Sequence, residues 1–238
     1  MDIDQLAVNY RLDQAGIEVI RDSRMLFLIG VMSAGKDAIK NKLLDLSDYF
    51  SIITYTTRLP RINNGELEQD GVAYHFVSRD QMAKLLLEHQ MVEINHFCDD
   101  YYSTSVNELR IANNQGKIAV GNVDINGVSM FHDIAPQNMT AIFVVPPSYD
   151  IWIQRVEKRY GSLDSFNKEW VMRRKTTIYE LEFALSVPYY HFVINDDLED
   201  TVELIDKISH SDKGTVGLVD DKARLVARDF LNAVKMRT

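Results

Sequence analysis

The chain has 238 residues, 46% of them hydrophobic, which suits one α/β core domain with insertions or short extensions. Its net charge of -9 argues against indiscriminate attraction to nucleic acid or to an anionic membrane, so any phosphate-binding function needs locally concentrated Arg and Lys. The single cysteine, Cys98, excludes an internal disulfide framework; the acidic start Met1-Asp2-Ile3-Asp4 is followed by no apolar signal region, and no apolar run approaches the roughly 20 residues of a membrane helix. The expectation is a cytoplasmic protein, monomer or homodimer, with neither nucleic acid nor membrane as partner.

In chain order, residues 1–24 read as a polar, partly amphipathic helical extension, with Leu6, Tyr10, Ile17 and Ile20 at roughly helical spacing. Met25-Leu26-Phe27-Leu28-Ile29-Gly30 is a continuous apolar run ending in glycine, the mark of a buried parallel strand. A helix is expected over 38–46. Further buried strands are expected over 50–54, 118–124, 140–145 and 191–195, with helices over 79–90, 106–115 and 148–159. The polar, glycine-containing stretch 63–70 reads as an exposed loop, and 211–214 as a linker to a last helix over 220–234. Apolar strands alternating with helices predict a central parallel sheet covered on both faces.

Gly30-Val31-Met32-Ser33-Ala34-Gly35-Lys36 follows the first strand and opens a helix, which is the context a G-x-x-x-x-G-K phosphate loop requires. Gly permits the tight turn, backbone N–H groups wrap phosphates, and the helix N-terminus adds positive potential. Lys36 is placed to reach the β- and γ-phosphates. The next position, normally Ser or Thr, is Asp37, followed by Ala38. A carboxylate is a hard oxygen ligand for Mg²⁺, but Asp37 also favours the first helical turn through the macrodipole, and both readings stand.

Downstream, Thr54-Tyr55-Thr56-Thr57-Arg58-Leu59-Pro60-Arg61 sets two arginines around a stiffening proline, a pattern able to clamp a phosphate. From here the sequence resembles guanylate kinases over most of its length, from about Leu26 to Ile208. Residues 56–61 match their T-T-R-x-P-R segment. Gly65-Glu66 and Tyr74-His75-Phe76-Val77-Ser78 match G-E and Y-x-F-V-S, with extra residues between. Val92-Glu93, then Asp100-Tyr101-Tyr102-Ser103-Thr104-Ser105, resembles the acid ahead of a Y-Y-G-[ST] stretch. Val123-Asp124-Ile125-Asn126-Gly127 resembles D-I-D-x-Q-G, with Asn122 at the first acid. Phe143-Val144-Val145-Pro146-Pro147-Ser148 and Ile194-Asn195-Asp196-Asp197-Leu198 match I-F-I-x-P-P-S and I-V-N-D-D-L.

The resemblance implies a three-layer P-loop kinase with a central parallel sheet. The kinase domain would span 25–209, with a small acceptor-binding subdomain at 56–105, a helical lid at 155–175 and a C-terminal helical extension at 210–238. It implies transfer of the γ-phosphate of ATP to GMP, with dGMP as a further acceptor, and Mg²⁺ as cofactor. By the same match, Gly30, Ser33, Ala34, Gly35, Lys36, Asp37, Ala38 and Asn195 fall on ATP-binding positions, with Asp37 the metal ligand. Arg58, Arg61, Tyr74 and Tyr102 fall on the positions holding the acceptor phosphate. Glu93, with Thr54, Thr104 and Asp124, falls on the positions around guanine. A carboxylate accepts from the N1–H and N2–H of guanine and repels the N1 acceptor of adenine. Residues 155–175 are the one basic concentration of the chain, and Arg155, Arg159 and Arg173 match the lid arginines, with Arg174 as the alternative to Arg173.

Other functions remain in view. A related group phosphorylating ribose 1,5-bisphosphate carries Lys-Asp where this chain has Lys36-Asp37. A non-catalytic guanylate-kinase-like binding module would be expected to degrade the phosphate loop, and a P-loop NTPase acting as a regulator would hydrolyse ATP without acceptor.

Overall fold

The structure, a computed structural model, describes residues 3–63, 66–97, 99–210 and 217–237. Its elements in order are α1 (Ile3–Asn9), α2 (Gln14–Asp22), β1 (Met25–Gly30), α3 (Lys36–Leu44), β2 (Tyr49–Ser51), β3 (Tyr55–Thr56), β4 (Ile62–Asn63), β5 (Glu66–Leu67), β6 (His75–Phe76) and α4 (Arg79–Leu87). There follow β7 (Asn95–Phe97), β8 (Asp100–Ser103), α5 (Val106–Asn114), β9 (Ile118–Gly121), α6 (Ile125–Ile134), β10 (Met139–Val145), α7 (Tyr149–Tyr160), α8 (Leu163–Ser186), β11 (Tyr190–Ile194), α9 (Leu198–His210) and α10 (Gly217–Met236). The class is the mixed α/β one expected, with a five-stranded parallel sheet in the order β11-β10-β1-β9-β2.

The chain divides into two compact units. The first holds residues 1–25, 47–121 and 129–139. In it β2 pairs parallel with β9, and α5 packs beside β9 and α2. A small sheet of order β6-β3-β8-β7 carries the region expected to bind the acceptor. β8 runs antiparallel to both β3 and β7, and its alternating burial turns Tyr101 and Ser103 inward while Tyr102 lies on the other face. The helix expected over 1–24 is two helices. Asp13 caps α2 by accepting from the Gly16 N–H, so its short side chain starts a new helix rather than continuing the first. The stretch read as a loop contains the β4–β5 hairpin, in which Ile62 faces Leu67 and Asn63 faces Glu66. The strands expected over 50–54 and 118–124 are shorter, ending at Ser51 and Gly121. Residues 64–65 and the linker at 211–214 lie outside the described residues.

The second unit holds residues 26–46, 122–128 and 140–238. β1 and β10 have their first five and last five residues buried respectively, which is why both read as unbroken apolar runs. β11 pairs parallel with β10 from Ala141 opposite Tyr190 to Val145 opposite Ile194. At the edge of the sheet, β11 is covered by α10. Asp220 Oδ1 accepts from the Phe192 N–H at 2.5 Å, and Arg224 donates to the Tyr190 carbonyl at 2.5 Å. Within α10 the same two side chains pair at 2.7 Å. Trp152 of α7 anchors the core between α8 and α10, edge-on to Phe166 and Phe230 with centroids 5.6 and 5.2 Å away.

Candidate active site

In the second unit, the loop between β1 and α3 is shaped by two glycines at positive φ. Gly30 (φ 142) lies so close to the Val144 carbonyl that a Cβ would strike it; Gly35 (φ 99) caps α3, and its Cβ would strike the Asn195 amide. Ser33 also sits at positive φ, 58°, and its buried Oγ has no hydrogen-bond partner among the described residues. That combination of a strained backbone and an unsatisfied hydroxyl suits a loop built to receive phosphate oxygens. Ala34 is wholly buried, and its carbonyl accepts from Asn195 Nδ2 at 2.7 Å. Asn195 itself is held by Val145 through its N–H and by Arg155, which donates to its carbonyl at 2.8 Å. Expected at an ATP-binding position, Asn195 also braces the loop.

Lys36 folds back, donating to the carbonyls of Gly30 at 2.6 Å and Val31 at 3.1 Å. Burial pulls its pKa below the ordinary lysine value; Asp37 and Glu180 oppose this, whereas Arg159 and Arg173 reinforce it. Glu180 of α8 escaped the sequence reading. Its carboxyl is pushed up by burial, against the pull of Lys36 and Arg173. Arg174 points elsewhere: it donates to the carbonyls of Val234 and Lys235 at the end of α10, so of the adjacent pair Arg173 is the one in the field of Lys36. Arg155 Nη1 is buried and unsatisfied among the described residues, while Arg159 lies 5.9 Å from the Tyr160 ring.

The two residues that depart from the resembled pattern, Asp37 and Asn122, meet. Asn122 Nδ2 donates to Asp37 Oδ1 at 2.8 Å, leaving Asn122 Oδ1 without a partner among the described residues. One carboxylate and one neutral oxygen remain together, a hard-oxygen donor set suited to Mg²⁺. Asp124 is exposed and accepts from the Gly127 N–H at 2.7 Å, starting α6.

In the first unit, Arg58 is 7% exposed and forks onto Glu68, with nitrogen–oxygen distances of 2.8 and 3.1 Å. Burial is the largest influence and opposes its charge, but the bond to Glu68, the charge of Glu68 and Tyr102 together outweigh it, so its pKa is raised. For Glu68, burial would raise the pKa, but Arg58 and the Arg61 N–H at 2.9 Å hold the carboxyl below its usual range. The guanidinium also lies 5.1 Å from the Tyr74 ring, and Tyr74 and Tyr102 meet edge-on at 6.1 Å. Burial pushes the Tyr74 phenol up. Arg58, Tyr74 and Tyr102 therefore converge, with the Arg61 backbone joined through Glu68.

Nearby in the same unit, Glu93 Oε1 accepts from the Thr104 N–H at 3.1 Å, and Ser103 Oγ donates to the Glu93 carbonyl. Thr104 is fully buried, and its Oγ1 has no partner among the described residues. The Thr54 carbonyl accepts from the His75 N–H at 2.9 Å. Glu68 lies two residues beyond the Gly65-Glu66 pair on which the sequence match rests. Gly65 lies outside the described residues and Glu66 is exposed, whereas the hairpin returns Glu68 to Arg61 through an N–H to carbonyl bond of 2.9 Å. The usable signal was spacing: Glu68 precedes Gly71 by three residues and Tyr74 by six.

A strand–glycine loop–helix with a buried lysine, an arginine-bearing helix α8 and a parallel sheet define the P-loop kinase class. The sequence model of the guanylate kinase family matches residues 22–211. A guanylate kinase from Rickettsia bellii (strain RML369-C) is 30% identical over 185 residues, 77% of this chain and 92% of that protein. Another from Clostridium perfringens (strain 13 / Type A) is 30% identical over 199 residues, 82% and 88% of the two chains. The crystal structure of guanylate kinase from Anaplasma phagocytophilum has the same fold, with a TM-score of 0.59 and 22% identity over 82% of this chain and 91% of that one. The chain belongs to the guanylate kinase family.

Proposed function

We propose that the protein transfers the γ-phosphate of ATP to GMP, giving ADP and GDP. The observation that carries this is the convergence of Arg58, Tyr74 and Tyr102 in one unit while the other keeps an intact glycine loop and Lys36. An oxygen of the acceptor phosphate attacks the γ-phosphorus as the bond to the β–γ bridging oxygen breaks, and ADP departs with that electron pair. The acceptor is anionic at neutral pH, so no general base is required. Backbone amides of the glycine loop bind the donor phosphates, and Lys36 turns from the Gly30 and Val31 carbonyls to meet them. Arg155, Arg159 and Arg173 counter the charge on the transferring group. Arg58, Arg61, Tyr74 and Tyr102 hold the acceptor phosphate, and Glu93, Thr54, Thr104 and Asp124 read guanine. Asp37 and Asn122 would hold Mg²⁺, which when bound neutralises charge on the β- and γ-oxygens. Closure of α8 excludes water and prevents hydrolysis.

No described helix is long and apolar enough to cross a membrane. We take the protein to work on free nucleotides in the cytoplasm. The test is ADP formation with Mg²⁺ and a panel of GMP, dGMP, AMP and ribose 1,5-bisphosphate. GMP-dependent turnover abolished by Lys36→Ala is expected. Turnover with the sugar phosphate alone, or acceptor-independent hydrolysis, would overturn the reading.

A further inference from the structure

α1 lies outside the 22–211 stretch matched by the family model, yet within its unit it grips the region that holds the acceptor residues. Its apolar side is Ile3, 5% exposed, with Leu6 and Ala7, and together with Tyr10 just past its end it packs on Met82, Leu86, Met91 and Tyr101. Two polar contacts sit at the two ends of this interface. The Tyr10 hydroxyl donates to the Met91 carbonyl, and the Tyr101 hydroxyl donates to Asp4, whose carboxylate also lies 3.8 Å from Arg79. The Arg79 guanidinium sits 5.4 Å from the Tyr101 ring and donates to the Asp99 carbonyl at 2.6 Å.

What these contacts hold is specific. Met91 is wholly buried, bridges antiparallel to Ser105, and is two residues from Glu93. Val92 donates to the Thr104 carbonyl at 2.7 Å, so the segment fixed by Tyr10 is the one that sets Glu93 against Thr104. Tyr101 is the inward neighbour of Tyr102 on β8, where adjacent residues face opposite sides. A pull on the Tyr101 hydroxyl therefore fixes the placement of Tyr102 without contact to it. Burial, then Asp13 and Glu93, push the Tyr10 phenol up to about 12, so it remains a donor throughout the neutral range.

We propose that α1 is a clamp on the acceptor pocket: Tyr10 and Asp4 are positioning residues that hold the segments carrying Glu93 and Tyr102 in their GMP-binding placement. This rests on the assignment of Glu93 and Tyr102 to the acceptor site. The clamp acts on the acceptor and leaves the donor loop alone. Loss of one such contact is expected to weaken GMP by about two- to tenfold, the range of one net hydrogen bond.

The test uses the full chain carrying Tyr10→Phe, Asp4→Ala or both, with KM for GMP, KM for ATP, kcat and Tm measured for each. The expected result is a raised KM and calorimetric Kd for GMP, larger in the double variant, with kcat and KM for ATP within about twofold of the parent. Asp220→Asn, which loosens α10 in the other unit, is the stability control: an equal fall in Tm there should leave KM for GMP unmoved. Glu93→Gln separates the two ideas. If Glu93→Gln raises KM for GMP and the α1 variants do not, the clamp alone is overturned. If Glu93→Gln has no effect, the pocket assignment falls and takes the clamp with it. Equal rises in KM for both nucleotides would also overturn it, since that is the mark of general loosening.

Discussion

Replacing Glu68 by Gln isolates what a buried ion pair does before any nucleotide arrives. Arg58 and Glu68 are 7% and 8% exposed and joined by a two-bonded fork. Losing one partner of a buried pair costs about 3–5 kcal/mol when a bare charge is left behind. Gln keeps one oxygen for the guanidinium or for the Arg61 N–H, so the cost should fall to about 2 kcal/mol, the range of a charge-assisted hydrogen bond. For a chain of this size that corresponds to a Tm roughly 4–8 °C lower. GMP should narrow the gap, because its phosphate offers Arg58 the oxygens that Gln lacks. The assay is thermal unfolding of parent and variant, with and without saturating GMP. The pH dependence has a definite sign. The Glu68 carboxyl is held below its ordinary value of 4.5, so the stabilisation is full above that value and is lost as pH falls through the folded-state pKa. The gap between parent and variant should therefore close in acid. A variant whose Tm equals that of the parent at neutral pH, or a gap that GMP leaves untouched, would refute the reasoning.

Thr104→Val should move stability and affinity in opposite directions. The buried Oγ1 has no partner among the described residues, so removing it is neutral or stabilising in the free protein, while loss of a hydrogen bond to guanine raises Kd for GMP about three- to tenfold; weaker unfolding resistance with unchanged Kd would contradict this. Asp37→Ser should lower Mn²⁺ affinity in the ATP complex, read by electron paramagnetic resonance, whereas Asn122→Asp sets a second carboxylate beside Asp37 and should raise it. The double variant moves the single carboxylate to position 122 and should recover most of the affinity lost in Asp37→Ser; a double variant as weak as Asp37→Ser would show that position 122 holds no cation.

The donor loop was legible because its glycines, strand and helix follow one another in the chain, although the contacts that require the glycines come from far along it. Glycine is required at Gly30 and Gly35 by close approaches of Val144 and Asn195, and an apolar strand and a helix flank the loop in the chain itself. The Arg58–Glu68 pair was not, since it depends on hairpin register: the two-residue shift from Glu66 to Glu68 decides which acid reaches the arginines. Nor could composition separate Arg173 from Arg174. The sequence of α8 has no strong apolar stripe, so its rotation is set by packing against α7 and α10 rather than by its own pattern. The grip of α1 was hidden by distance along the chain, since Tyr10 and Met91 are 81 residues apart and Asp4 and Tyr101 are 97 apart.

The covering of β11 by α10 has a consequence for the fate of the chain outside its active state. An edge strand with free N–H and C=O groups is a template for pairing with another molecule. Here the outward amide of Phe192 and carbonyl of Tyr190 are already taken by Asp220 and Arg224. Because those two side chains are one turn apart on one helix, they are gained or lost together. A break in the chain before α10 would thus expose two backbone groups at once on the edge strand. It would turn this edge into a seed for strand-by-strand association.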